Sequence, residues 1–137
     1  MLRDGVVFVS RETAEKLTPN PTVGMISITD PDAKSGLAKL QEGWSAVLRL
    51  QFHDVTKPWQ GYEPMTEGQA KELIDWLEKH EAGFTGVVVH CEHGQSRSAA
   101  VAKYLGDRYR LPIFESSVRF ANETVYDLLC GADPSTF

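Results

Sequence analysis

At 137 residues, with 42% hydrophobic and 24% charged residues, the chain has the length and composition of one globular domain spanning residues 1–137, which excludes two separate cores and a disordered chain. A formal net charge of −5, with Lys and Arg scattered along the chain, excludes the basic stripe of a nucleic-acid binder. Two cysteines, Cys91 and Cys130, are too few for a disulfide framework, and His90 and His93 lack the second Cys or His pair that a metal site needs, so neither metal nor cofactor is expected.

The N-terminus offers a short apolar run at residues 6–9, far below the length of a signal-peptide core or membrane span. A cytoplasmic protein without a membrane partner is the expectation, with a monomer as the simplest oligomeric state. That run and residues 23–28 and 46–52 read as strands, being short, β-branched and bounded by turn or charged residues. His53, His80 and His93 read as surface or packing residues. From Asp54 to Pro64 a long loop rich in Pro and Gly carries Trp59 and Tyr62, which either wall a cleft or pack within the loop.

Thr66-Glu67-Gly68-Gln69 has the pattern of a capping box, and Ala70, Leu73, Ile74 and Leu77 follow at helical spacing, predicting a helix to about Lys79 with Trp76 at the core edge. Residues 86–90, Gly-Val-Val-Val-His, are continuously apolar up to the histidine and suit a strand buried on both faces of a parallel sheet. Residues 98–109 carry Ala99, Ala100, Val101, Ala102, Tyr104 and Leu105 and predict a helix that packs closely on the sheet and ends before Leu111-Pro112. A last helix is expected from the N-cap Asn122, with Val125, Tyr126, Leu128 and Leu129 buried, Cys130 in the core and Gly131 as its stop. Asp133 to Thr136 are expected to be loose. Alternating strands and helices predict a three-layer α/β fold with a mostly parallel central sheet of four to five strands flanked by helices.

Between the clearest strand and the following helix lies His90-Cys91-Glu92-His93-Gly94-Gln95-Ser96-Arg97-Ser98, where open α/β sheets bind ligands. A loop curling from strand to helix gathers backbone N–H groups into one concavity, to which the helix adds unpaired N–H groups and its positive dipole end. Residues Glu92, His93, Gly94, Gln95, Ser96 and Arg97 would thus bind a phosphate. The planar fork of Arg97 grips two oxygens at once, a geometry lysine lacks. Cys91 enters the same concavity, and the dipoles with Arg97 favour its nucleophilic thiolate form. Gly94 fits a tight position or a positive φ. Ser98 is placed to hydrogen-bond the sulfur, whereas His90 points opposite to Cys91 along the strand and is expected to brace the loop without a part in the chemistry.

His90-Cys91, five residues, then Arg97-Ser98 resembles the His-Cys-x5-Arg-Ser/Thr signature of the cysteine-dependent protein-tyrosine phosphatases, and Gly94 with Ser96-Arg97-Ser98 resembles the dual-specificity branch. The resemblance runs from Ala46 to about Leu129. It implies a phosphatase domain with a cysteinyl-phosphate intermediate, an aspartate on a separate loop as acid and then base, and no metal. Glu92, His93 and Gln95 fill positions that vary in the family. Lipid and polyphosphate phosphatases of the family carry lysines in this loop, and this loop has none, which favours a phosphorylated protein or peptide as substrate, with phosphotyrosine first and phosphoserine or phosphothreonine also open. The alternatives are a phosphatase of RNA ends or phosphoinositides, and a phosphate-binding module without turnover.

The general acid must stand at the same sheet edge as Cys91. Asp30 and Asp54 both follow predicted strands. Asp54 opens a loop long enough to move over a substrate, whereas Asp30 precedes Pro31 in what reads as a turn, so Asp54 is preferred, with Glu63 a more distant alternative. The resemblance agrees, since the family's acid lies in the loop before the helix leading to the signature strand.

Overall fold

The computed structural model describes residues 2–114 and 118–135. Nine regular elements alternate along them: β1 (Gly5–Ser10), α1 (Arg11–Lys16), β2 (Val23–Thr29), β3 (Ala46–Gln51), α2 (Glu67–His80), β4 (Gly86–Cys91), α3 (Arg97–Tyr109), β5 (Ile113–Phe114) and α4 (Glu123–Ala132). The strands form one all-parallel sheet in the order β3-β2-β4-β1-β5. All six residues of β4 are buried, as its unbroken apolar run requires, because β1 and β2 pair with its two edges and both its faces are covered. Strand β3, at the sheet edge, instead alternates buried Leu48 and Leu50 with exposed Val47, Arg49 and Gln51.

The two faces of the sheet are unequal. Phe8, Ile26, Ile28, Val87, Val89 and Cys91 face the larger core, closed by Leu73, Ile74 and Leu77 of α2, the alanines of α3, and Val125 and Leu129 of α4. Met25 and Val88 face a smaller cluster made with Ala14 of α1 and with Leu40 and Trp44 from the long β2–β3 connection. The capping box at Thr66 and Gln69 is formed, and Asn122 accepts from the Val125 N–H as the N-cap of α4.

The structure corrects four expectations. Helix α1 is present though it was not read, because its buried residues are only Arg11 and Ala14 and it has no apolar stripe; the Ser10 cap and the 3.2 Å Glu12–Lys16 pair were the available signals. Strand β5 was also missed, being two residues long. Gly131 does not stop α4, which runs on to Ala132 and ends before Asp133-Pro134. Asp133 is not loose: it is 5% exposed and its carboxylate accepts from the Tyr104 hydroxyl at 2.6 Å. Thr136 lies outside the described residues.

Candidate active site

The loop that joins β4 to α3 spans residues 92–96 and leaves the sheet at its carboxyl edge, between the ends of β1 and β2. Gly94 has φ +70°, and a Cβ there would come within 2.5 Å of the Ser10 nitrogen and the Val9 carbonyl carbon. Both the conformation and the close approach to β1 therefore demand glycine. Arg11, directly after Ser10, clamps the start of the loop. Its N–H donates to the Glu92 carbonyl at 3.2 Å, and its Nη1 donates to Glu92 Oε1 at 3.1 Å, while Nη2 reaches the carbonyls of Ser35 and Leu37. The Glu92 carboxylate is thereby tied to Arg11, and Glu92 is not among the residues that line the cavity.

Cys91 ends β4 at 2% exposure, and its Sγ stands 3.1 Å from Ser98 Oγ and accepts from the Gly94 N–H at 3.3 Å. One hydroxyl and one backbone N–H thus converge on the sulfur, an arrangement that suits a thiolate. His90 points the other way, to Ser27, its register partner on β2, with Nε2 2.6 Å from Ser27 Oγ and Nδ1 3.3 Å from the Cys91 carbonyl. Burial pushes His90 below its ordinary value of 6.5, against the opposing pull of the Cys91 carbonyl and Glu92, while Arg11 and Arg49 add to the lowering. A value lowered from 6.5 favours the neutral ring at pH 7. A carbonyl can only accept, so Nδ1 carries the proton and Nε2 accepts from the Ser27 hydroxyl. The orientation opposite to Cys91 is the one that strand parity predicted, and the ring ties the end of β4 to β2 rather than bracing residues 92–96.

Arg97, at the first turn of α3, is 3% exposed; its Nη1 donates to Asp30 Oδ1 at 2.6 Å and to the Phe52 carbonyl at 2.7 Å. These two bonds fix the plane of the guanidinium. Its Nε is buried and has no hydrogen-bond partner. A buried charged donor left unmatched is costly, so this one marks where an acceptor fits. Asp30, read as one possible acid, stands at the site as the ion-pair partner of this arginine.

Asp54 is the other sequence candidate. Its Oδ1 accepts from Ser96 Oγ at 2.8 Å and from Asn122 Nδ2 at 2.9 Å. Ser96 spends its hydroxyl on Asp54 and not on its own helix, so α3 starts without a side-chain cap. Asn122 does more than cap α4: its N–H donates to the Ser96 carbonyl at 3.1 Å and its Nδ2 also reaches the Val55 carbonyl, so one residue joins the loop at 92–96 to the loop that carries Asp54. The cap was legible in the sequence, whereas this second role depends on where the chain returns.

These groups share one cavity of about 260 Å³, lined by Asp54, Cys91, His93, Gln95, Ser96, Arg97 and Phe120. Ser98 lies beneath it, fully buried against the sulfur. His93, read as a surface or packing residue as well as a phosphate-loop member, lines this cavity. His53 is not a surface residue: at 7% exposure it takes the Glu63 N–H on Nδ1 and meets Asp32 Oδ1 at 2.8 Å through Nε2, binding the Asp54 loop to the Asp30 turn. Glu63 is held there by its backbone and is not part of the cavity lining. No group of three or more His, Cys, Asp or Glu side chains that could hold a metal ion occurs among the described residues, and no helix of theirs is long and apolar enough to cross a membrane.

No family model and no curated protein matches the sequence. Solved structures do match it. The chain is similar to human DUSP28, with a TM-score of 0.54 and 17% identity over 100% of this chain and 86% of that one. It is also similar to the human tyrosine phosphatase-like serine/threonine/tyrosine-interacting protein, with a TM-score of 0.50 and 20% identity over 91% of this chain and 78% of that one. The chain has the fold of the dual-specificity phosphatases, and the likeness to DUSP28 extends over the first third, where the sequence carried no distinctive motif.

Proposed function

We propose that the chain is a phosphoprotein phosphatase that hydrolyses phosphotyrosine, with phosphoserine and phosphothreonine as further substrates, through a cysteinyl-phosphate intermediate. The observation that carries this reading is the convergence of three unlike residues on one cavity: Cys91, Arg97 and Asp54. The fold supports it at the level of a phosphatase.

In this reading the phosphoryl group sits over Cys91 with its oxygens toward the Arg97 Nε–H and the N–H groups of the loop from Glu92 to Ser96. The thiolate attacks phosphorus, forming the S–P bond as the bond to the leaving oxygen breaks. Asp54, protonated, gives its proton to that oxygen. A water then attacks the phosphocysteine, Asp54 takes the water's proton, and the S–P bond breaks to return the thiolate. Ser98, 3.1 Å from the sulfur, donates to the thiolate as it leaves. The Asp30 ion pair and the Phe52 carbonyl keep the Arg97 fork in plane with the phosphate, which a lysine could not reproduce.

The test is hydrolysis of p-nitrophenyl phosphate in the presence of a chelator, with and without vanadate. Turnover that survives the chelator, stops with vanadate and is absent in Cys91→Ser is the expected result. A Cys91→Ser variant that keeps more than a few per cent of the rate, about what a tenfold-to-hundredfold loss leaves, would rule out covalent catalysis by this cysteine.

A further inference from the structure

Beside the phosphate cavity runs a second groove of about 540 Å³, and the two share Asp54, Ser96 and Phe120. Its walls are Trp59 on the Asp54 loop and Phe120, after the phosphate-loop helix, with Val55 and Ala121 between them. Trp59 is 57% exposed and Phe120 64%, two of the large exposed apolar side chains among the described residues, and Tyr62, stacked on Trp59, is 43% exposed. Large rings held in water beside a catalytic cavity are a surface built to be covered.

The tryptophan is held in place by its own loop. Gln60 at φ 45° and Gly61 at φ 87° make a two-residue turn of the hairpin type, and Trp59 and Tyr62 exchange backbone hydrogen bonds of 3.1 and 2.8 Å across it. Their rings stack at 6.0 Å and 12°, and Tyr62 in turn sets its edge against the buried His53 at 4.9 Å. The sequence left open whether Trp59 and Tyr62 wall a cleft or pack within the loop; the structure divides them, Trp59 as wall and Tyr62 as its buttress. On the facing wall, the Arg119 guanidinium lies 5.3 Å over the Phe120 ring. A ring held before a ligand arrives, as Trp59 is by Tyr62, loses little conformational freedom when one binds. The charged residues of the lining are Lys57, Glu123 and Asp54, the last shared with the phosphate cavity.

We infer that this groove is a specificity subsite for the protein substrate, which takes an apolar side chain, aromatic or branched aliphatic, from a residue flanking the phosphorylated one. This rests on the phosphatase reading above and names the class of sequence that site accepts. A phosphoryl group over Cys91 leads its peptide out past Phe120, one of the three residues common to both spaces, and the next side chain meets the slot between the two rings. Covering those rings strengthens binding without touching the reacting atoms, so the effect falls on KM.

The experiment uses matched phosphotyrosine peptides in which each of the three positions on either side is Leu, Phe or Ser, with p-nitrophenyl phosphate as a substrate too small to reach the groove. At one flanking position the apolar peptides should have kcat/KM about tenfold above the serine peptide, through KM. Trp59→Ala should remove that preference and Trp59→Phe keep most of it, while kcat/KM for p-nitrophenyl phosphate stays within about twofold in both, because Trp59 does not line the phosphate cavity. Hydrolysis of p-nitrophenyl phosphate with no flank preference at any position overturns this inference alone. An equal loss on both substrate types in Trp59→Ala overturns it too, by showing that the tryptophan only supports the loop. No hydrolysis of p-nitrophenyl phosphate by the wild-type protein sinks the phosphatase reading and this one together.

Discussion

Two arginines of α3, eleven residues apart, are both paired with carboxylates, yet Arg108 is only half-buried and Arg97 is buried with one nitrogen left unpartnered. Arg108 has every arm engaged: Nη1 donates to the Tyr104 hydroxyl at 3.0 Å, Nε lies 3.5 Å from Asp133 and Nη2 4.0 Å from Glu78. Tyr104 donates to Asp133 as well, so burial and this bond both hold its phenol protonated well above the ordinary range, while Asp133, despite burial, stays below its ordinary 3.8 under the bonds from Tyr104 and Ser135 and the charge of Arg108. That cluster is closed, and it locks α4 onto α3. Arg97 is fixed by Asp30 and Phe52 through Nη1 alone, its Nε is buried without a partner, and the residue lines a cavity together with Cys91 and Asp54. A satisfied polar network specifies structure, whereas an ordered network with one donor left over specifies a ligand.

The largest effect separating the two regions should come from Cys91→Ser, which is expected to abolish turnover while the denaturation midpoint stays close to wild type, because the site contributes chemistry and the hydroxyl lacks a stabilised anion. Arg97→Lys should follow, with a loss of about a hundredfold to a thousandfold in kcat that nearly equals the loss in Arg97→Ala, since a point charge cannot replace the fork. In the closed cluster the same exchange, Arg108→Lys, should leave kcat unchanged and lower stability instead. Near-wild-type kcat in the Arg97 variant, or a large kcat loss in the Arg108 variant, would erase the distinction. Asp54→Asn should cut turnover by about a hundredfold for a poor leaving group and less for a good one, and flatten the alkaline limb of a bell-shaped rate profile. An alkaline limb that persists in Asp54→Asn and vanishes in Asp30→Asn would move the acid to Asp30.

Smaller effects should appear in stability alone. Tyr104→Phe strips a buried carboxylate of its 2.6 Å donor and should cost about 1–3 kcal/mol in chemical denaturation with kcat unaltered. His90 gives a pH signature. Its folded-state value is lowered, so the unfolded chain takes up the proton first as pH falls; its contribution is complete above the ordinary 6.5 and is lost progressively below it, toward the folded-state value. The Asp133 contribution fades in a separate, lower window, below 3.8. Wild-type protein should therefore lose stability as the pH falls below the ordinary 6.5, and His90→Asn should flatten that slope. An equal slope in both proteins would mean that His90 is not held neutral.

What the sequence disclosed follows from how local each signal was. The β4 strand, the capped helices and the spacing from Cys91 to Arg97 are written in contiguous residues, and the observed Gly94 φ and Ser98 contact agree with that reading. Asp54 and Asp30 were both found, since each follows a strand of a parallel sheet, but their separate partners, Ser96 with Asn122 and Arg97, depend on tertiary packing. Arg11 escaped notice because nothing in Ser10-Arg11-Glu12 announces a side chain that will meet Glu92, 81 residues later. Asp133 was misread because residues near a chain end read as loose, and only the approach of Tyr104 buries it.

The most direct test of the central claim is to mix the protein with p-nitrophenyl phosphate, quench with acid within a turnover and locate the phosphoryl group by peptide mass. The account predicts one phosphoryl group on the peptide that contains Cys91, absent in Cys91→Ser and in Arg97→Ala. A phosphoryl group on any other residue, or steady turnover with no phosphorylated peptide at any quench time, would contradict it.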